Sequence, residues 1–436
     1  MNDWLVMLFL GADDDLFPFG QGLLDEAVKV GSNECVAVVA ELNPTTTNAQ
    51  TLRGQLLPGR RDMKKIGITD GGTESIIDFV DDSKTRYEAR NRALILWDHG
   101  NGWQNVHVFD HVADAIGVVR QHHQGHDPAD GADGTAEPLF VNALRDVLDE
   151  KRGISIVGFD SCLMSMIEVA FQLRETAQFM VGSQHLVPAA RGWPYEAILR
   201  ALTLDPRMHP EAVVRTIVTA FGGSYNGSND AVTLSGLRLS AEVDRAVAAI
   251  DSLSRELLTA IDKSDAAIAN GVKGAVDMRS EIVYARRYTQ SFGNRDYIDI
   301  ISFCNQIQKR LLPTDRALNR AADLVKVAIA RLVVRHTRSS AASVADANGI
   351  SIYFPDPFEG AQVVESYEKL DFADTIYCRW LPFLKVIVEG RVVLQEDLAT
   401  PSSGPPPSSR SMNNVHRMAP RAAVVGGAGH SHTHRQ

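Results

Sequence analysis

Cysteine is scarce in this chain: four residues among 436, at positions 35, 162, 304 and 378. No two stand in C-x-x-C spacing, so neither a zinc site nor a disulfide framework is indicated. Cys35, Cys304 and Cys378 lie in apolar surroundings and read as buried thiols. Long hydrophobic runs are absent too. Nothing approaches the ~20 apolar residues of a spanning helix, so no membrane association is expected. Residues 4–10 are too short and poorly flanked for a secretory signal. Positive charge is in deficit, with 44 Lys and Arg against 54 Asp and Glu and a formal net charge of −10. That balance argues against nonspecific nucleic-acid binding. A reducing cytoplasm is the expected compartment, and it would keep a reactive thiol active. There is no internal repeat.

What remains is an ordinary globular composition, 44% hydrophobic and 22% charged, with a length fitting two or three domains or one large α/β unit with additions. Residues 4–10 and 35–42 read as buried strands, with a helix near 21–29 between them. Residues 43–71 are polar and basic and suit a surface hairpin; a helix begins near 73–81. The strand at 93–97 follows. This alternation predicts a right-handed, mostly parallel sheet. Residues 107–137 are rich in Gly and Asp without an apolar period, as expected of a flexible exposed loop. Further helices are expected at 141–150, 213–221 and 240–261, and strands at 179–182 and 231–236. From there to 335 the pattern is mainly helical. Residues 350–354 read as a strand returning to the same sheet, and 383–388 as a last apolar segment. The expected domains are a core at 1–239, a helical subdomain at 240–396, and a Pro- and Ser-rich tail at 397–436 that cannot offset its chain entropy by burial.

Two strand ends carry the chemistry. Residues 154–159 form a short β-branched run bounded by Gly153 and Asp160, the pattern of a strand buried on both faces. After it, Leu163, Ile167, Ala170 and Phe171 form a helical stripe. Cys162 thus falls at a strand-to-helix junction, where open α/β sheets place their ligand crevices and where a helix N-terminus favours a thiolate. Upstream, the strand 93–97 runs into Asp98-His-Gly-Asn-Gly-Trp103, so His99 also sits at a strand end. If those strands are neighbours, His99 becomes the general base and acid for a Cys162 nucleophile. The N–H groups of Gly100 and Cys162 then suit an oxyanion hole. Asp98 is expected to point to the other side of its strand and is assigned no chemistry.

At this point the chain resembles the clostripain-like (C11-type) cysteine peptidases, relatives of caspases, legumain and gingipain. The resemblance rests on Trp97-Asp-His-Gly-Asn-Gly-Trp103, Gly158-Phe-Asp-Ser-Cys-Leu-Met-Ser-Met-Ile-Glu168, Gly192-Trp-Pro-Tyr195 and Gly349-Ile-Ser-Ile-Tyr-Phe-Pro355. It implies a caspase-like three-layer α/β sandwich, a His99–Cys162 dyad, and cleavage after basic residues. Asp160 is expected to line the S1 pocket, where it pairs with an arginine or lysine at P1, the substrate residue on the acyl side of the scissile bond. The alternative for Asp160 is a cap on the following helix. The family often has a second acidic residue just before Gly192; here Pro188-Ala-Ala-Arg191 stands there, so basic specificity falls chiefly on Asp160. Trp193 is read as a cleft wall, with core packing as its alternative.

The resemblance also implies a zymogen nicked between the two catalytic residues. Arg120 is the one Lys or Arg between His107 and Arg145, and hence the expected processing site, cut by the enzyme itself or by an upstream activating protease. His107, His111, His122, His123 and His126 lack H-E-x-x-H spacing and read as solvated loop residues, and His430, His432 and His434 lie outside the expected fold. No cofactor is required; calcium, used by some relatives, is left open, and Asp13, Asp14 and Asp15 are not a coordination motif by themselves. Expected partners are protein substrates, with the protease itself a monomer. The rival readings are a catalytically silent caspase-like scaffold that binds a partner in the same cleft and, third, a metal-dependent hydrolase using the histidine-rich loop.

Overall fold

A strand covered on both faces needs apolar side chains at every position, and β1 (Asn2–Ala12) shows it most plainly. Its Leu5, Met7 and Phe9 enter one core while Trp4, Val6, Leu8 and Leu10 enter another on the opposite face. The computed structural model of the chain describes residues 1–12, 16–44, 50–67, 73–104, 140–148, 153–311, 315–357 and 362–398. Along it follow β2 (Val36–Pro44), β3 (Thr51–Leu57), β4 (Arg60–Gly67), β5 (Ala89–Trp97) and β6 (Ile154–Asp160). After these come β7 (Ala177–Gly182), β8 (Thr233–Arg238), β9 (Tyr297–Asp299), β10 (Val333–Arg338) and β11 (Ser351–Tyr353).

Nine of these strands form one sheet in the order β10-β8-β7-β6-β5-β1-β2-β3-β4. The five central strands are parallel. The hairpin β3–β4 extends one edge antiparallel, and β8 and β10 extend the other. Helices Phe17–Val28, Tyr195–Leu204 and Pro210–Ser224 cover one face. The other face carries the remaining long helices, including Ala241–Ala269 and Trp380–Val388. The result is the three-layer α/β sandwich expected from the sequence.

Residues Met1–Ala399 form one compact unit. Within it the C-terminal half differs from expectation in two ways. Residues 350–354 do not return to the main sheet: β11 pairs with β9 in a separate two-stranded sheet and touches the core through a Met166–Ser351 bridge. The strand that does join the main sheet is β10, antiparallel to β8. Its sequence, Val-Val-Arg-His-Thr-Arg, is charged as edge strands usually are, and it follows helix Arg316–Leu332 with no turn between them. Residues 383–388 belong to helix Trp380–Val388. Cys304 and Cys378 are buried, whereas Cys35 is only half-buried. Among the described residues, no helix is long and apolar enough to cross a membrane. Arg120, the 107–137 loop and all but the first two residues of the 397–436 tail lie outside the described residues.

The C-terminal helix is fastened by a buried ion pair. Arg379, almost fully buried, donates from Nη1 to Asp251 Oδ2 at 2.6 Å, and its main-chain N–H donates to Asp251 Oδ1 at 2.9 Å. Removing one partner of such a pair strands the other charge. Asp251→Ala is therefore expected to lower the unfolding free energy by about 3 kcal/mol, measured by urea denaturation.

Candidate active site

Strands β5 and β6 are parallel neighbours, and their last paired residues are Trp97 and Asp160. His99 and Cys162 each stand two residues beyond that pair, at the carboxyl edge of the sheet. There a small cleft is lined by Leu16, Trp97, Asp98, His99, Asp160, Ser161, Cys162, Val187 and Ala189. The strand order turns here, since β1 runs on to β2 on one side while β5 and β6 lie on the other. Such reversals open a crevice beyond the strand ends.

Cys162 sits in a sharp turn rather than at a helix start. Leu163 adopts a left-handed φ of 63°, and the next helix begins only at Ile167. The turn is held from outside: Leu163 N–H donates to His185 O at 3.2 Å, and Ser165 N–H to Ser183 O at 2.8 Å. The expected helix terminus is thus displaced from the sulfur. Burial raises the thiol above its ordinary range; the Val187 N–H, 3.2 Å from Sγ, pulls it back and the Asp160 carboxylate adds to the rise. Burial thus favours the thiol over the thiolate here.

Gly100 packs against this turn. A β-carbon there would stand 2.2 Å from the Cys162 carbonyl oxygen and 2.9 Å from its nitrogen, so the glycine is required by close approach of the two loops. Asp98 does not face away: its carboxylate accepts the His99 N–H at 2.6 Å and lines the cleft.

Asp160 is 2% exposed. Its Oδ2 accepts the Trp193 N–H at 3.1 Å and the Tyr195 hydroxyl at 3.0 Å, while Oδ1 is buried without a partner. It caps no helix that follows β6. Desolvation raises its pKa to about 7, against the lowering effect of those two hydrogen bonds. Of the two readings of Trp193, cleft wall and core packing, the structure shows the second. Its ring is fully buried in the core over Gly158, whose β-carbon would meet it at 2.9 Å, and it lines no part of the cleft. Its main chain, not its ring, serves the site.

The C-terminal half clamps the His99 loop, a role that sequence reasoning missed. The Tyr297 hydroxyl donates to Asn101 O at 2.6 Å, and the Tyr297 ring closes on Gly102, which has a positive φ of 66°. Trp103 is buried edge-on against Tyr353 and Tyr367 at 5.1 and 4.9 Å. Glu168, fully buried, accepts the Tyr353 N–H and the Tyr367 hydroxyl. These aromatics come from segments far apart in the chain, and only the block at 349–355 gave any hint of them.

Among the described residues, no group of three or more His, Cys, Asp or Glu is placed to hold a metal ion. Asp13, Asp14, Asp15 and the loop histidines at 107–126 lie outside the described residues.

A sequence profile of the clostripain family, peptidase family C11, matches residues 53–384, and the chain belongs to that family. A stretch of 158 residues is 25% identical to clostripain of Hathewaya histolytica, covering 35% of this chain and 28% of that protein. The chain therefore spans little more than a quarter of that relative's length. An inactive zymogen C11 protease from Parabacteroides distasonis superposes with a TM-score of 0.59 at 19% identity, over 86% of this chain and 98% of the other. A secreted C11 cysteine protease from Bacteroides thetaiotaomicron, iotapain, does so with 0.57 at 16% identity, over 86% and 99%. The fold is that of the C11 proteases, a caspase-like sandwich.

The raised Asp160 pKa has a consequence for stability. A proton held more tightly in the folded state stabilises it below the unfolded pKa, near 4, and that contribution is lost as pH rises toward about 7. Asp160→Asn keeps acceptors for Trp193 and Tyr195 and removes the buried charge. Its melting temperature should exceed that of the wild type at pH 8 and match it near pH 4.

Proposed function

We propose that this chain is a cysteine endopeptidase that cleaves after arginine, and after lysine, by acyl transfer through Cys162 and His99. One observation carries the reading: both residues stand at the same offset beyond a register pair of adjacent parallel strands and line one cleft, whose wall includes Asp160 with an unpartnered oxygen. His99 takes the thiol proton as the sulfur attacks the scissile carbonyl. The N–H groups of Gly100 and Cys162 face the developing oxyanion. His99 then protonates the leaving amine, and water, activated by the same imidazole, hydrolyses the thioester. Burial that favours the thiol gives the imidazole its role as base.

The carboxylate of Asp160 is the partner for the P1 cation. Arginine offers a planar fork of donors and lysine a point charge. Activation by cleavage after Arg120, by the enzyme or by an upstream protease, belongs to this reading, supported by the likeness to a C11 zymogen. The cytoplasmic placement rests on the sequence, whereas iotapain is described as secreted; cell fractionation decides between them. Calcium dependence is decided by assay with and without a chelator.

Hydrolysis of fluorogenic P1-Arg, P1-Lys and P1-Asp peptides tests the proposal. Cys162→Ala and His99→Ala should each lower kcat/KM on the arginine peptide by about 10³-fold or more. Gly100→Ala should do so by about 10²-fold, through displacement of the turn and loss of one oxyanion donor. Full activity in Cys162→Ala would leave the cleft as a binding surface and end the peptidase reading.

A further inference from the structure

Two acids, Asp98 and Asp160, line the cleft, and a third, Glu26, lies on a neighbouring helix. Helix Phe17–Val28 begins beside the cleft. Leu16, at its N-cap, lines the cleft. Gly20 has room only for hydrogen, since a β-carbon there would meet Trp97 at 3.3 Å and Leu42 at 3.2 Å. Leu23 abuts Gly192 at the point where a β-carbon would also stand 2.9 Å from Asp160 Oδ2. Glu26 follows Leu23 by three residues, on the same helix face. Its Oε2 is buried with no hydrogen-bond partner, as is Oδ1 of Asp160.

The described cations near these acids are engaged elsewhere. Arg61 pairs with Asp25 and bonds Gln21, and Lys29 pairs with Glu196 at 3.1 Å. Arg191, close by in sequence, turns its guanidinium to the Ser224 carbonyl, to the Tyr225 ring at 4.6 Å and to Asp230 at 3.9 Å. A buried carboxylate oxygen left without a donor destabilises the fold, and an apolar residue would fill that place at less cost.

We propose that Glu26 is a specificity-determining residue of the S1 pocket, acting with Asp160 to make it doubly negative and so to select a cationic P1 side chain. The inference rests on the assignment of Asp160 to that pocket. Its physics is like-charge repulsion relieved by the ligand. In the free pocket burial raises Asp160, Tyr195 and Tyr225; Glu26 adds to the rise of Asp160, and Asp160 adds to that of the two tyrosines. Cys162, His99 and Asp98 face the same space from the cleft side. A guanidinium or ammonium group offsets that repulsion, whereas a neutral side chain leaves it in place. Glu26 acts through the field on Asp160 and on the bound cation, behind the wall that touches substrate.

The test compares kcat/KM for P1-Arg and P1-citrulline peptides, neutral and cationic versions of one shape, in the active full chain. Glu26→Gln should lower the arginine-to-citrulline ratio about tenfold, most strongly in low salt, while the melting temperature stays within a few degrees. The acid limb of the P1-Arg pH profile should move to lower pH, because removing the Glu26 charge eases ionisation of Asp160. Glu26→Asp should restore most of the ratio. An unchanged ratio, or equal losses on both peptides with a lowered melting temperature, would overturn the proposal. Asp160→Asn separates the two assignments. If it spares arginine cleavage, the pocket itself is misassigned; if it abolishes arginine preference while Glu26→Gln does not, the Glu26 role alone fails.

Discussion

The pairing of Trp97 with Asp160 in a parallel ladder is the constraint on which the site depends. Side-chain direction along a strand repeats every two residues, and a slip of one residue would turn a strand's side chains to the opposite face. Register here is fixed by burial on both faces: Ile95 and Ile156 belong to one core, Leu94 and Val157 to the other. The same packing that makes the sheet stable therefore sets where two loops leave it. Gly100 and the turn at Leu163 let those loops come together without a side chain between them.

Around that edge the protein keeps several buried acids with little cationic compensation. Asp160, Glu168 and Glu41 are all raised to about 7 by desolvation, but only Glu41 has an arginine, Arg53, at 2.6 Å. Glu168 accepts from Tyr353 and Tyr367 on Oε1, leaving Oε2 buried without a partner, and so ties the aromatic box under Trp103 together. Asp160 likewise accepts from Trp193 and Tyr195 on Oδ2 and leaves Oδ1 buried without a partner. Similar burial thus serves structure in one case and, on the proposed reading, recognition in the other. The difference lies in position: Asp160 lines the cleft and Glu168 does not.

The sandwich was legible because burial on both faces writes itself as unbroken apolar runs at β1, β2, β5 and β6, and because helices announce themselves by period. The positions of His99 and Cys162 followed from the ends of those runs. The edge strand β10 was not legible, because partial burial leaves its alternation mixed with charge and its helix runs straight into it. The turn at Cys162 was misread as a helix start, since Ser161-Cys-Leu-Met-Ser165 carries no glycine at the position that adopts positive φ. What holds that turn is the distant segment 183–185, which local pattern does not reveal.

By itself, then, the sequence determined the layers, the central strands and the two strand ends, all of which depend on local periodicity and solvent exclusion. Only the tertiary structure decided which strands are neighbours, that Trp193 serves Asp160 through its main chain, and that Tyr297 holds the His99 loop. Those are contacts between residues far apart in the chain. Their geometry is set by packing between layers, and no short-range pattern of residue types encodes it.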